Sequence, residues 1–275
     1  MWQAANIADR FKPAAEPVRD RMQPACDPLA RVLVQAIVCW FALLPLGGAF
    51  VLMLKYVRGY RIDNLKAIRR EFRNLWNEHQ APIIICANHL TFIDSALIIW
   101  GLASNFWYWR NYRAFTWNLP AGDVFKKKLP ISLSLYLTKC IFLHRDGSSK
   151  HKQHVLNLCR FLLLKDQVVL IFPEGQRSRS GRFDEKRLRF GVGKIASSLK
   201  DCRVLCIYLR GDQQETFSNY PARGSRFTMK MRLVKPTSNQ VSRKQMSVEM
   251  VTQIGAAIKN LENEYFAKRN GATTK

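Results

Sequence analysis

Two residues with chemistry to offer lie five positions apart in the stretch PIIICANHLTFIDSALII: His89 and Asp94. An imidazole backed by a carboxylate is a general base. The carboxylate holds one ring nitrogen, fixes the tautomer and stabilises the imidazolium, and the other nitrogen takes a proton from a hydroxyl. No G-x-S-x-G nucleophile elbow accompanies the pair, although Ser95 adjoins Asp94. Cys86 lies inside an apolar run, where a thiol behaves as a small hydrophobe. The nucleophile is therefore expected from outside, as the hydroxyl of a bound acceptor. By itself H-x4-D recurs by chance, and its weight comes from what accompanies it.

A second stretch, IFPEGQRSRSGRF, ends an apolar run with Pro173, Glu174, Gly175 and Arg177. Proline and glycine let the backbone turn sharply there, and an arginine at such a turn suits bidentate contact with a phosphate. A third, CIFLHRDG, ends in His144 and Arg145, a second guanidinium for the same anion. In so basic a chain, solvated surface charge is the alternative for both arginines. His144, His151 and His154 lie close together in sequence, but no cysteine or carboxylate falls at ligand spacing, and they are not read as a metal site.

Taken in order, these stretches resemble the glycerolipid acyltransferases: the 1-acylglycerol-3-phosphate (lysophosphatidate) acyltransferase family and its wider lysophospholipid acyltransferase superfamily. The resemblance covers about residues 80–235. NHLTFID is similar to the family's N-H-x4-D block, IFLHR to its second block, FPEGQRS to its F-P-E-G-x-R-S block, and RFGVGKIA to the basic, glycine-containing segment that follows. It implies His89 as catalytic base and Asp94 as its partner. Arg145, Glu174, Gly175 and Arg177 would meet the acceptor's phosphate or glycerol. The implied reaction moves an acyl group from acyl-CoA or acyl-acyl carrier protein to the hydroxyl of a lysophospholipid such as lysophosphatidate. It uses the thioester as co-substrate and needs no other cofactor and no metal. Three positions depart from the family pattern: Lys139 where the second block opens with glycine, Cys206 where a proline is usual, and Gln176 for the commoner threonine. They leave the dyad intact and bear on the acceptor, for which a lyso-aminolipid is the alternative.

Strands must deliver these groups, and helices must carry the chain between them. Apolar runs at residues 83–87, 140–145, 167–172 and 203–210 alternate with helical patterns at 95–102, 151–164 and 189–199. Strands alternating with helices predict an α/β fold, a mixed, largely parallel sheet flanked by helices. In such a sheet functional groups collect beyond the strand ends. RFTMKMRLVKP adds a late strand, and residues 242–266 a closing helix. Leu65, Ile68, Phe72, Leu75 and Trp76 fall at helical spacing among basic residues, the pattern of an amphipathic helix that packs on the domain or lies at an interface. The aromatic stretch around FWYW and RNYRAFTWN fits an acyl pocket or interface and, equally, a filled core.

Composition sets the surroundings. The 275 residues carry 44 Lys and Arg against 20 Asp and Glu, a net charge of +24. Such a chain suits a polyanionic partner, either anionic membrane lipid or an acidic carrier protein, which clusters such as Lys126–Lys128 and residues 177–189 would steer. Nucleic acid is not expected once the motifs are taken into account. A non-catalytic protein bound to anionic membranes explains the charge and leaves the ordered motifs unexplained. The seven cysteines include no C-x-x-C pair, which predicts a reducing compartment.

Residues 32–54, VLVQAIVCWFALLPLGGAFVLML, carry no charge. As one helix they would extend about 35 Å, enough for a bilayer core of about 30 Å. Pro45, Gly47 and Gly48 interrupt that helix, so a re-entrant hairpin and a kinked span both fit. The flank at 55–73 is rich in Lys and Arg, which predicts a membrane protein with its catalytic domain on the cytoplasmic face. The expected organisation is an N-terminal arm at 1–31, a membrane-embedded segment at 32–57, an amphipathic linking helix at 58–80 and an acyltransferase domain at 81–275.

Overall fold

In the computed structural model, which describes residues 26–79, 82–122, 129–144 and 146–273, six strands form one sheet. They are β1 (Arg61–Ile62), β2 (Ile83–Ala87), β3 (Trp117–Asn118), β4 (Val169–Ile171), β5 (Arg203–Gly211) and β6 (Arg226–Val234), in the order β1-β6-β5-β2-β4-β3. Only β5 and β6 pair antiparallel; the other neighbours run parallel. The expected mixed, largely parallel α/β sheet is what forms.

The central strand explains itself. All five residues of β2 are buried, because parallel strands covered on both faces read as unbroken apolar runs. Alternate residues serve different cores. Ile84 and Cys86, with Val204, Cys206 and Tyr208 of β5, pack against helices α7 (Ser149–Leu164), α8 (Gly191–Ala196) and α9 (Arg243–Thr273). Ile83, Ile85 and Ala87, with Leu205, Ile207 and Leu209, pack against α3 (Leu65–Glu78), α4 (Asp94–Leu102) and α5 (Asn105–Arg110). Gly193 in α8 lies against the Ser247 carbonyl of α9, where a Cβ would collide with the backbone.

The amphipathic helix α3 packs on the domain, burying Ile68 and Phe72, while Arg69 donates to the Trp100 carbonyl. The run CIFLHR, expected as a strand, makes two isolated bridges instead, Cys140 to Asn118 and Leu143 to Ala121. It follows α6 (Leu129–Tyr136) and reaches the sheet only where β3 is two residues long.

The uncharged segment is a bent pair: α1 (Cys26–Leu43), α2 (Pro45–Leu52) and a π-turn at Met53–Val57. No single described helix is long and apolar enough to cross a membrane, but this pair passes together with a bend of 54°. Proline at the start of α2 sets the break. A stripe of α1, Val32, Gln35, Cys39 and Leu43, is buried against the domain. There Gln35 donates to the carbonyls of Tyr136 and Cys140, and Trp40 stacks on Trp109. The opposite face is more apolar than the buried one: Leu33, Val34, Ile37 and Phe41 are exposed, Phe41 by 68%.

Candidate active site

The site assembles beyond the C-terminal ends of three adjacent strands, β5, β2 and β4. Strand β2 ends at Ala87, and Asn88 extends it in side-chain form. Its amide donates to the Leu209 carbonyl (2.9 Å) and accepts from the Leu209 N–H (2.7 Å), so the loop leaves the sheet in a fixed direction.

The loop then wraps around Asp94, in the first turn of α4. One carboxylate oxygen, Oδ2, lies 3.0 Å from His89 Nδ1 and accepts the N–H groups of Leu90 (2.6 Å) and Thr91 (2.7 Å). The other accepts the Thr91 hydroxyl at 2.5 Å. Asp94 is buried, and these donors occupy both of its oxygens. A carboxylate oxygen accepts, so Nδ1 carries the proton and donates it to Asp94, which leaves Nε2 as the basic nitrogen. The imidazole stacks on Phe172, ring centres 4.1 Å apart and 15° from parallel, which limits its rotation.

The FPEG turn supplies the second wall. Gly175 N–H donates to the Phe172 carbonyl, and Gly175 has φ +67°, where a Cβ would also meet the Arg189 side chain. Glu174, expected at the acceptor, lines the same cavity as Arg177 and also reaches the backbone of the histidine loop. Only 3% exposed, it accepts the His89 N–H on one oxygen (3.2 Å) and the Asp184 N–H on the other (3.3 Å). Burial pushes its pKa up to about 8 against the pull of those two donors, with Asp184 and Glu262 nearby adding to the rise. It braces the dyad loop and the loop after the FPEG turn. Ser178 N–H donates to the His89 carbonyl and joins the same two loops.

Arg177 lies on the open side. Its guanidinium stacks on Phe92, 3.9 Å from the ring centre, and donates to the Ser218 carbonyl (2.8 Å) and Asn219 Oδ1 (2.9 Å). With Glu174, Asp184, Arg179 and Arg187 it lines a cavity of about 210 Å³. His89, Asp94, Glu174, Gly175 and Arg177 are thus brought together. Arg145 and Lys126–Lys128 lie outside the described residues. His144 and His151 face each other with ring centres 5.1 Å apart, and no group of three metal-ligating side chains occurs among the described residues.

A half-buried histidine on a buried aspartate stands at the strand ends, beside a cavity that holds both arginines and carboxylates. The sequence model of the family described as Acyltransferase matches residues 61–210, more than half of the chain. This chain belongs to the acyltransferase family. No curated protein sequence matches it. The matched span begins with β1 and closes at the end of β5, so it includes every described residue of the dyad and the FPEG turn.

The family's glycine position also acquires a physical meaning. Lys139 stands there with φ +52°, the left-handed region that glycine occupies without cost. Its side chain is fully buried, and its Nζ donates to the carbonyls of Tyr112 (3.0 Å) and Phe115 (2.9 Å) and to Gln167 Oε1 (2.9 Å). The amine also lies 3.8 Å from the Tyr112 ring centre. Burial pushes its pKa down to about 7, while the three acceptors match the three N–H groups of the ammonium and the ring face adds a cation–π contact. Lys139 ties together the aromatic segment on which α1 rests, and makes no contact with the dyad loop.

Several contributors carried no signal of their own in the sequence. Thr91 and Asn219 act through partners that only the folded chain supplies, and Phe172 and Ser178 were visible only as members of the F-P-E-G-x-R-S block, not as neighbours of His89. Asn88 was visible as part of the N-H block, but its strand-like pairing with β5 was not.

Proposed function

We propose that the protein transfers an acyl group from an acyl thioester to the free hydroxyl of a lysophospholipid such as lysophosphatidate. His89 is the general base and Asp94 its orienting partner. The observation that carries this reading is the Nδ1 to Asp94 contact, which leaves Nε2 free to accept the hydroxyl proton. The alkoxide-like oxygen attacks the thioester carbonyl as that proton moves to Nε2. Collapse of the tetrahedral intermediate breaks the C–S bond, and the thiolate of CoA or acyl carrier protein regains the proton from the imidazolium. General-base assistance of this kind contributes about 10²–10⁴ in rate. Arg177, held on Phe92, offers its charge to the acceptor's phosphate.

The apolar outer face of α1 supports attachment to a membrane, since a helix apolar all round suits either a core or lipid. The basic residues that follow it favour a cytoplasmic catalytic domain next to anionic lipid. Purified protein is to be incubated with labelled acyl-CoA or acyl-acyl carrier protein and a panel of lysolipids, with His89→Ala alongside. Transfer to lysophosphatidate that the variant loses is the expected result. Transfer only to a lyso-aminolipid would keep the chemistry and change the acceptor; transfer to no acceptor from either donor would overturn the reading.

A further inference from the structure

The loop from β5 to β6, residues 212–225, is tied at one end to the apolar helix pair and at the other to the dyad. At the helix end, Tyr60 Oη and the Arg58 guanidinium donate to the Pro221 carbonyl, Gly224 N–H donates to the Arg58 carbonyl, and Arg223 donates to the Val57 carbonyl. At the dyad end, Ser218 N–H donates to the Leu90 carbonyl and Phe92 N–H to the Asn219 carbonyl, both at 3.1 Å, and Ser218 and Asn219 hold Arg177. Two aromatic side chains of this loop are exposed: Phe217, with its ring centre 5.3 Å from the Arg177 guanidinium, and Tyr220, by 61%. Tyr220 lies beside Arg58, 5.7 Å from its guanidinium, and Tyr56 and Val57 at the end of the helix pair are exposed as well.

We propose that residues 217–220, with Tyr56 and Val57, form a second lipid-contact surface for an anionic phospholipid bilayer, directly beside the catalytic dyad. This rests on the membrane reading of the helix pair. Three features select that partner. The loop is tied to the end of the helix pair, where Leu52, Tyr56 and Val57 are exposed. Tyrosine, apolar along its body and polar at its tip, is favoured at the level of lipid headgroups. Lys55, Arg58 and Arg223 frame the rings with positive charge, which complements an anionic surface. Backbone hydrogen bonds within the loop then fix the bilayer surface relative to His89 and Arg177, so that an acceptor lipid reaches the dyad with its headgroup at interface level.

The test is a photoreactive benzoylphenylalanine placed singly at Phe41, Phe217, Tyr220 and Val241 of the full chain, irradiated with phospholipid vesicles and read by mass spectrometry for lipid adducts. Phe41 reports the helix pair, and Val241, which is 96% exposed on another loop, is the background. With vesicles about one-third anionic, adducts at 41, 217 and 220 are expected at least about fivefold above 241, and adducts at 220 about threefold fewer on neutral vesicles. Adducts at 41 with 217 and 220 at background would overturn the loop surface and leave the membrane reading standing. Background yield at all four positions would overturn both. Equal yields at 220 on neutral and anionic vesicles would overturn the anionic partner.

Discussion

The dyad loop and the Arg177 wall are built in opposite ways. Asp94 collects all its hydrogen bonds from residues 89–91, within five positions of itself. Arg177 donates to Ser218 and Asn219, more than forty positions away. The first cluster needs one strand end and one helix start; the second needs β2, β4 and β5 to be neighbours with the β5–β6 loop folded over them. The proposed general base is thus assembled locally, and the arginine proposed to meet the acceptor's charge is held across the sheet.

That contrast is open to attack by substitution. The largest effect is expected at the local cluster: His89→Ala and Asp94→Asn should each lower acyl transfer by about 10²–10⁴ with soluble, folded protein, measured as initial rates. Next comes the wall. Arg177→Ala should raise KM for a phosphate-bearing acceptor by about 10–100-fold, the worth of one charged hydrogen bond, with Asn219→Ala following at the lower end. If Asn219→Ala instead lowers kcat as far as Asp94→Asn does, the division between local chemistry and distant recognition fails.

Glu174 joins the two regions, and its titration sharpens the comparison. Its folded pKa, about 8, lies above the ordinary 4.5. A carboxyl raised in this way contributes stability that is complete below 4.5 and is lost as pH rises through about 8. Glu174→Gln removes that loss but leaves one backbone N–H without its acceptor, at about 1–3 kcal/mol. The variant should therefore melt below the parent near pH 5, and the gap should narrow steadily toward pH 9. A gap independent of pH would mean that Glu174 is ionised throughout. The smallest effect belongs to the ring beneath His89: Phe172→Leu keeps the apolar contact and removes the stacking, worth about 0.5–1.5 kcal/mol, and should cost about three- to tenfold in kcat.

How far the sequence could be read follows the same division. His89 and Asp94 were legible because an imidazole and a carboxylate five residues apart, between a strand and a helix, have little freedom to miss each other. The strand at residues 83–87 and the helix after it were legible from apolar patterning, and α3 from its spacing. The CIFLHR run looked the same as these strands and forms only two bridges, since patterning reports burial and not whether a neighbouring edge is long enough to pair. Lys139 could be flagged as a departure from glycine. Its positive φ and the three acceptors around its amine emerge only when β3, the 112–115 segment and Gln167 close upon it.

By itself the sequence determined the element types apart from the CIFLHR run, the pairing of His89 with Asp94, the turn that Gly175 permits, the apolar segment with its break, and the charge of +24. All of these depend on residues near one another in the chain or on composition. Tertiary structure alone decided that Glu174 faces inward to brace His89, 85 positions away, that Asn88 pairs with β5, and that one loop links the helix pair to the catalytic centre. Strand order makes these assignments. A carboxylate at the end of β4 turns to whichever backbone donors the adjacent strand ends present, and nothing within its own stretch of chain specifies which strands those are.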